Sequence, residues 1–316
     1  MKKKVLVTGH CGYVGTQLVK KLLEKNYEVV GIDTMWYHEI KINYPDLISK
    51  KMDIRDISKF DFPKNIDCVF HLANIANDPS VELNEKLSWE VNVLAGYQLM
   101  ERCIENNVKR FVFASSGSVY GLKDQDKVTE DLSLVPISAY NKTKMIAERV
   151  FVSFKDKIEV FNIRPATVCG ISERMRLDLS VNMLVYQAIK NKNINIFGGS
   201  QIRPNIHIDD LVDVYMHFLE QNHPAGVYNA GFENLKIIEI ANMIKRKTNA
   251  SLNVDEKSND PRSYRLSSDK LLKTGFKPKR NVEMAINELI ALYTNNLDAF
   301  NDSNLNVTWL KKNQFN

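Results

Sequence analysis

The sequence predicts an α/β fold, a doubly wound parallel sheet followed by a smaller mixed α/β lobe. Short apolar runs alternate with helical patterns through residues 4–165. These runs are continuously apolar, which is typical of parallel strands that helices cover on both faces. A length of 316 residues allows about two domains. The composition, 44% hydrophobic and 26% charged, lies near the globular average and excludes collagen, coiled coil and disorder of the whole chain.

The first domain is predicted from strands and helices that follow one another in order. β-branched residues mark Lys4–Thr8 as a strand, and apolar residues at helical spacing mark Gly12–Lys25 as a helix. Further strands are expected at Tyr27–Asp33, Ile48–Asp53, Asp67–Ala73, Arg110–Ser115 and Ile158–Ile163. Two further helices are expected at about Glu82–Asn106 and at Tyr140–Phe154.

The pattern loosens after Arg164-Pro165, where a second lobe is predicted. Its expected elements are the helices Leu179–Lys192, Asp209–Gln221, Lys236–Lys247 and Val282–Asn295 and the strands Ile194–Phe197 and Asn205–Ile208. We therefore assign residues 1–165 to the first domain, to which segments within about 205–232 return, and residues 166–300 to the lobe. Residues 301–316 are polar and Asn-rich, so we expect a loosely ordered tail there.

Charge and cysteine usage exclude several classes of protein. A formal net charge of +5 over the whole chain is too small for a nucleic-acid footprint. The four cysteines are far apart and form no C-x-x-C pair, so neither a metal site nor a disulfide framework is expected. Free thiols fit a reducing compartment, and we expect a cytoplasmic protein without a secretion signal or a membrane span.

Three glycines mark the turn between the first strand and the first helix. Gly9 permits a tight turn, Gly12 lets the backbone approach a diphosphate, and Gly15 allows close helix–sheet packing. The free N–H groups at the start of that helix favour phosphate. Asp33 ends the next strand, where a carboxylate accepts hydrogen bonds from ribose hydroxyls and repels a 2′-phosphate. The pattern predicts a Rossmann-type site for NAD rather than NADP; the other interpretation of Asp33 is a strand-end cap.

A tyrosine and a lysine lie one helical turn apart at Tyr140 and Lys144, on the same face of the predicted helix. The lysine ammonium, together with a nicotinamide cation, would lower the pKa of the tyrosine, which could then take a hydroxyl proton. Taken alone this spacing is very weak, and a solvated helix face is the better interpretation of it. The serine-rich run 115–121 at the end of the preceding strand favours catalysis, because a serine there can hold the substrate oxygen.

These motifs together resemble the extended short-chain dehydrogenase/reductases, and within them the NAD-dependent nucleotide-sugar epimerase/dehydratase family. The resemblance extends from residue 5 to about 280, in the family's order and spacing. It rests on Thr8–Gly15, Asp53–Asp56, His71–Ala73, Asn92, Ser115–Gly121, Tyr140 with Lys144, Arg164–Val168 and Arg203–Asp210.

The resemblance implies a role for each matching residue. The implied catalytic residues are Ser116, with Ser115 as the alternative serine, Tyr140 and Lys144. The implied NAD-binding residues are Gly9, Gly12, Tyr13, Val14, Asp33, Asp53, Ile54, Leu72, Ala73, Asn92, Tyr140 and Lys144. Ser116 would also bind the sugar, and Asn182 and Arg203 would hold its nucleoside diphosphate. Arg262 is either a second phosphate ligand or part of a surface salt bridge.

Departures from the family pattern narrow the expected reaction. Gly117 and Ser118 stand where 4,6-dehydratases carry an Asp and a Glu, which disfavours dehydration. Hydride transfer at C4 of a sugar remains, either as a 4-epimerase or as a 4-dehydrogenase, with a 4,6-dehydratase or a 4-ketoreductase as further alternatives. Looser similarity points to surface-polysaccharide biosynthesis. The resemblance also implies a homodimer, and a catalytically silent dinucleotide-binding sensor or scaffold is the alternative from another class.

Overall fold

A computed structural model describes residues 2–40, 44–123, 125–256 and 263–313. The strands are β1 Lys4–Thr8, β2 Glu28–Asp33, β3 Leu47–Lys51, β4 Ile66–His71, β5 Arg110–Ala114, β6 Glu159–Pro165, β7 Thr167–Cys169, β8 Asn193–Phe197, β9 Ile202–His207, β10 Gly226–Ala230, β11 Glu233–Lys236 and β12 Ser251–Asp255. The α-helices are α1 Tyr13–Glu24, α2 Asp78–Leu83, α3 Glu85–Trp89, α4 Ala95–Glu105, α5 Ala139–Val152, α6 Ser180–Asn191, α7 Ile208–Glu220, α8 Ile237–Thr248, α9 Asp269–Leu272, α10 Val282–Asn296 and α11 Asn306–Lys312.

Seven of these strands form one sheet in the order β10-β6-β5-β4-β1-β2-β3. Every neighbouring pair in it is parallel. The predicted doubly wound α/β fold is therefore confirmed. The chain order reverses between β1 and β4, and ligands of such sheets bind beyond the carboxyl ends of the strands at that switch point.

Successive residues of the buried strands face opposite cores. Val5 and Val7 of β1 join the core that α1 and α7 cover, while Leu6 faces the core under α4 and α5. This explains the continuously apolar runs in the sequence, since both faces of the sheet are covered by helices. A third core lies in the lobe between α6, α8 and α10.

Two smaller sheets complete the lobe, β11-β9-β7 and β12-β8. The chain that leads from β9 to β11 contains α7 and β10. Of these, α7 packs on α1, and β10 pairs with β6 of the large sheet. Part of the chain after residue 205 thus belongs to the large sheet. Among the described residues, no helix is both long enough and apolar enough to cross a membrane.

The helix expected at Glu82–Asn106 is interrupted, which corrects the prediction. The side chain of Asn84 accepts a hydrogen bond from the Leu87 N–H and begins α3 anew after α2. A short π-helix at Glu90–Leu94 then connects α3 to α4. Asparagine competes for backbone N–H groups in this way, and apolar periodicity alone does not reveal it.

The C-terminal segment, residues 301–313, is also unlike the prediction of a loosely ordered tail. It forms a short 3₁₀ turn and α11, and the Leu310 side chain is fully buried. Trp309 stacks on Trp36 at 5.9 Å between ring centroids and contacts Tyr37 at 4.9 Å. The few apolar residues of this polar segment are therefore enough to dock it beside the large sheet.

Candidate active site

One cavity lies beyond the carboxyl ends of the central strands, between the large sheet and the lobe. Most of the residues predicted to bind NAD or to catalyse the reaction line it: Gly9, Gly12, Tyr13, Val14, Asp33, Asp53, Ile54, Leu72, Ala73, Ser116, Tyr140 and Lys144. The position is the switch point between β1 and β4, where the fold predicts a ligand.

The glycine turn at the base of the cavity has no space for side chains. Gly9 has φ +74°, and a Cβ added there would lie 2.7 Å from the Ala73 nitrogen. A Cβ on Gly15 would lie 2.1 Å from the Gly9 carbonyl oxygen. Gly12 is the N-cap of α1 and has no side chain to cap it, so the first N–H groups of α1 are available to an anion. This cradle fits a dinucleotide diphosphate.

Two aspartates follow along the cavity at the ends of neighbouring strands. Asp33 accepts hydrogen bonds from the backbone N–H groups of Cys11 (3.0 Å) and Met35 (2.7 Å), which fixes the orientation of its carboxylate. Asp53 accepts from Arg55. Burial raises the pKa of Asp53, but the hydrogen bonds from Arg55 outweigh that effect and keep it below its usual value. Both groups are therefore oriented hydrogen-bond acceptors.

The three predicted catalytic residues converge on the same cavity. The Ser116 hydroxyl hydrogen-bonds the phenol of Tyr140 and lies 2.7 Å from Ser118 Oγ. The hydroxyl of Ser115, the alternative serine, instead donates to the buried Glu148 carboxylate. The geometry thus favours Ser116 over Ser115 as the serine that would face a substrate.

Lys144 is a buried residue of α5. Its Nζ donates to the Ala114 carbonyl oxygen at 2.6 Å and lies 5.9 Å from the centre of the Tyr140 ring. Burial lowers the pKa of Lys144 to about 7, and the nearby carboxylate of Glu148 opposes that change. The ammonium is therefore destabilised by its surroundings, as is common for lysines at functional sites.

The phenol of Tyr140 departs from the expectation. Burial raises its pKa to about 12, and the cation that acts against burial is Arg176, with the Ser116 hydrogen bond as a smaller effect. In the chain by itself, the lysine does not lower the pKa of the tyrosine. The prediction from Tyr140 and Lys144 alone overlooked Arg176.

Arg176 belongs to a charged group on the lobe side of the cavity. Its guanidinium makes two hydrogen bonds of 2.9 Å to Asp178, and Asn77 donates to the same carboxylate at 2.7 Å. Arg174 also lines the cavity, and so does Asn306 of the C-terminal segment. The spacing Arg-x-Arg-x-Asp after Gly170 is the signal in the sequence that could have identified these residues.

Three of the described residues predicted for the site, Asn92, Asn182 and Arg203, are not among those that line the cavity. Asn182 is fully buried and accepts from the Gly170 N–H at 3.1 Å, while its amide donates to Tyr13 Oη and to the Arg176 carbonyl oxygen. Asn92 is buried and holds the backbone of Ile75. Arg203 lies on β9, outside the residues that line the cavity. Arg262 lies outside the described residues.

Both asparagines are thus positioning residues. The Asn92 amide also donates to Thr143 Oγ1 at 3.1 Å, which connects a loop of the cavity wall to the helix that carries Tyr140. Asn182 connects Tyr13 of the glycine turn to the loop before α6. Their amides satisfy backbone groups, and this leaves none of the hydrogen bonds that direct ligand binding would need.

A buried network supports the catalytic residues from behind. Arg164 pairs with Glu148 at 2.6 Å, and both side chains are 4% exposed. Arg164 also donates to Tyr120 Oη at 2.7 Å, and Tyr120 donates to Asn229 at 2.8 Å. Removing one partner of such a pair would leave a buried charge without its counter-charge, so the network fixes the end of β6 against α5.

His10, Cys11 and Asp33 offer ligand atoms within 4.8 Å of one another. Burial, with the nearby Asp33 carboxylate, raises the pKa of Cys11 to about 12. Asp33 accepts two backbone hydrogen bonds, and His10 Nε2 lies 2.7 Å from Ser49 Oγ, so both groups are already engaged with the protein. The expectation that the chain has no metal site stays a prediction.

Comparison with known proteins decides the family. Residues 5–231 match the model of the NAD dependent epimerase/dehydratase family. This chain belongs to that family. Membership confirms the resemblance seen in the sequence and the predicted cofactor, NAD.

Individual relatives lie within the same family. An uncharacterized UDP-glucose epimerase of Bacillus subtilis, YtcB, is 32% identical over 260 residues, which are 77% of this chain and 81% of that protein. A UDP-glucose 4-epimerase of Lactobacillus helveticus is 28% identical over 90% of this chain and 94% of its own.

Solved structures share the fold at similar identity. MoeE5 in complex with UDP-glucuronic acid and NAD superposes with a TM-score of 0.82 at 28% identity, over 91% of this chain and 98% of that one. A UDP-glucuronic acid 4-epimerase from Bacillus cereus gives 0.80 at 27% identity, over 93% and 99%. The names of these two relatives and two complexes each contain a UDP-sugar.

Proposed function

We propose that this enzyme oxidises C4 of a nucleoside-diphosphate sugar and returns the hydride to the other face of the ring, as a 4-epimerase. The observation that carries the proposal is the meeting of Ser116, Tyr140 and Lys144 with the glycine turn in one cavity. The names of the relatives support UDP as the nucleotide and a hexose or hexuronic acid as the sugar.

Each catalytic side chain has a defined part in this proposal. Tyr140 takes the proton of the sugar C4 hydroxyl, while Ser116 holds the same oxygen by a hydrogen bond. Bound NAD supplies the hydride acceptor. Lys144 binds the nicotinamide ribose, as the family resemblance implies, and Arg176 stabilises the phenolate by its charge.

Release of the 4-keto sugar, a net dehydrogenase reaction, would use the same side chains. Arg176, paired with Asp178 in the cavity wall, distinguishes the sugar end, and its guanidinium suits an anionic sugar as well as a neutral one. Surface-polysaccharide biosynthesis remains our proposal for the pathway. The four cysteines are free and buried, which supports a reducing compartment, the cytoplasm.

The experiment is to incubate the purified enzyme with UDP-glucose, UDP-galactose or UDP-glucuronic acid and to analyse the products by mass and NMR. We expect an isomer of unchanged mass. Tyr140→Phe should lower kcat on the order of 1000-fold, whereas Tyr186→Phe, on α6 outside the cavity lining, should not. A product lighter by two hydrogens would establish the dehydrogenase instead. NAD binding without turnover of any sugar would favour the silent scaffold.

We also propose a homodimer through α4 and α5. Leu94 is 58% exposed and Tyr97 41%, and Tyr97 packs on Phe154 at 5.9 Å between ring centroids. Val152 is exposed on α5 as well. Light scattering should give twice the chain mass for the natural protein and the single mass for Leu94→Glu; a monomeric natural protein would overturn the dimer.

A further inference from the structure

Arg174 is a buried cation in the cavity wall without an acidic partner. The residue is 4% exposed and lines the cavity. No carboxylate of the described residues lies within salt-bridge distance of its guanidinium, in contrast to Arg176 beside Asp178. Burial lowers the pKa of Arg174 to about 10, and the charge of Arg176 acts in the same direction. A buried cation without an anionic partner raises the free energy of the folded protein, and a bound anion would lower it.

The C-terminal segment and the loop after β2 hold this guanidinium in place. Its Nη2 donates to Asn306 Oδ1 and to the Ser303 carbonyl oxygen. The Tyr37 ring lies 4.4 Å from its central carbon, and Trp309 packs on the far side of that loop. Its Nε is buried and has no hydrogen-bond partner among the described residues. Its Nη1 donates to none of the described residues and is not buried as Nε is, so Nη1 is the donor that a ligand could reach.

The position of Arg174 limits which ligand group could use that donor. Its ring partner Tyr37 belongs to the loop that follows Asp33 at the end of β2, and Arg176 with Asp178 follows Arg174 directly in the chain. Arg174 therefore lies between the ribose-binding end of the cavity and the sugar end. In a dinucleotide and in a nucleoside-diphosphate sugar alike, the anionic group between two such ends is a diphosphate. A planar guanidinium fork matches phosphate oxygens in charge and geometry.

We propose that Arg174 binds a diphosphate in the cavity and that the C-terminal segment, through Asn306, holds it in the binding orientation. The proposal rests on the proposed function for the presence of two diphosphate ligands, NAD and the nucleotide sugar. It makes the C-terminal segment, residues 301–313, part of the ligand site.

Binding measurements on Arg174→Met test the proposal without relying on turnover. Calorimetry or displacement of fluorescent NADH would give the affinities of ADP and adenosine, and of UDP and uridine. We expect one diphosphate to lose about ten- to hundredfold in affinity while its nucleoside binds unchanged. Loss for ADP would assign Arg174 to NAD, and loss for UDP would assign it to the sugar nucleotide. Unchanged affinity for both diphosphates, or equal loss for a nucleoside, would overturn the proposal.

Further variants separate ligand binding from folding. Arg174→Lys keeps the charge but not the fork and should give an intermediate loss. Asn306→Ala keeps Arg174 itself and should weaken the same diphosphate by about threefold to tenfold, so that a misfolded Arg174→Met protein would not end the test. Arg246→Met, an exposed arginine on α8, is the matched control and should bind as the natural protein does. An Asn306→Ala protein that is folded and binds both diphosphates normally would refute the role of the C-terminal segment.

Discussion

The two ends of the cavity are built in different ways. At the NAD end, the backbone forms the site: glycines without space for a Cβ, open N–H groups of α1 and an aspartate held by backbone donors. From the middle of the cavity to the sugar end, side chains from distant parts of the chain form the site, Arg174 and Arg176 from the loop before α6 and Asn306 from α11. A backbone site is encoded locally and tolerates little change, whereas a side-chain site can be rebuilt for another sugar.

The largest effect is expected at the NAD end from Gly9→Ala. The substitution adds a Cβ 2.7 Å from the Ala73 nitrogen at a φ of +74°. We expect a loss of about 2 kcal/mol or more of stability and at least tenfold of NADH affinity, measured by urea unfolding and fluorescence titration. Gly275→Ala is the matched control, because φ there is +90° and nothing lies within 4 Å of the added Cβ. Equal effects at the two glycines would contradict the close approach at Gly9.

The second prediction concerns Lys144, where the two ends meet. Its pKa falls from 10.5 to about 7 on burial, so below about pH 7 the folded chain carries an unfavourable charge there. Between that pH and 10.5 the unfolded chain keeps the proton and the folded chain releases it, so this contribution to stability improves as the pH rises. Lys144→Met should therefore stabilise the fold at pH 6 by about 2–4 kcal/mol, and the gain should shrink toward pH 10.

Urea unfolding of both proteins at several pH values measures this difference. Lys142→Met, an exposed lysine on the same helix, should show no such pH dependence. A gain for Lys144→Met that stays constant from pH 6 to pH 10 would show that the folded lysine keeps its proton throughout.

The smallest effect is expected at the sugar end from Asn182→Ala. The substitution leaves the Gly170 N–H and the Tyr13 hydroxyl with fewer partners, which should cost about 1–3 kcal/mol of stability while KM for the nucleotide sugar changes by no more than about twofold. Thermal unfolding and steady-state kinetics measure the two quantities. Asn295→Ala, exposed on α10, is the control. Unchanged stability with a large rise in KM would restore Asn182 as a phosphate ligand.

The features that could be predicted from the sequence belong mainly to the part of the site that the backbone forms. The strand ends, the glycine turn and Asp33 could be predicted because each depends on a local pattern and on one topological rule. The serine run and the Tyr140–Lys144 spacing belong with them, since α5 is the next α-helix after β5. Gly9, Asp33, Ser116, Tyr140 and Lys144 all line the cavity.

The remainder depends on contacts between distant residues. Arg174 and Asn306 meet across 132 residues of chain, and no local pattern indicates that pairing. Asn92 and Asn182 show the converse limit: a polar residue in the right place can face a ligand or satisfy the backbone, and only packing decides between them. The expected joint effect of Lys144 and a nicotinamide cation on Tyr140 stays a prediction, because in the chain by itself burial is the largest influence on both pKa values.

The docking of the C-terminal segment has an optical consequence. The chain contains three tryptophans, and two of them, Trp36 and Trp309, are stacked beside the cavity. Indole emission overlaps the absorption of reduced nicotinamide but not that of the oxidised form. Energy transfer from this pair would therefore rise when the bound cofactor is reduced and fall when it is reoxidised, so the redox state within a single turnover could be followed without any label.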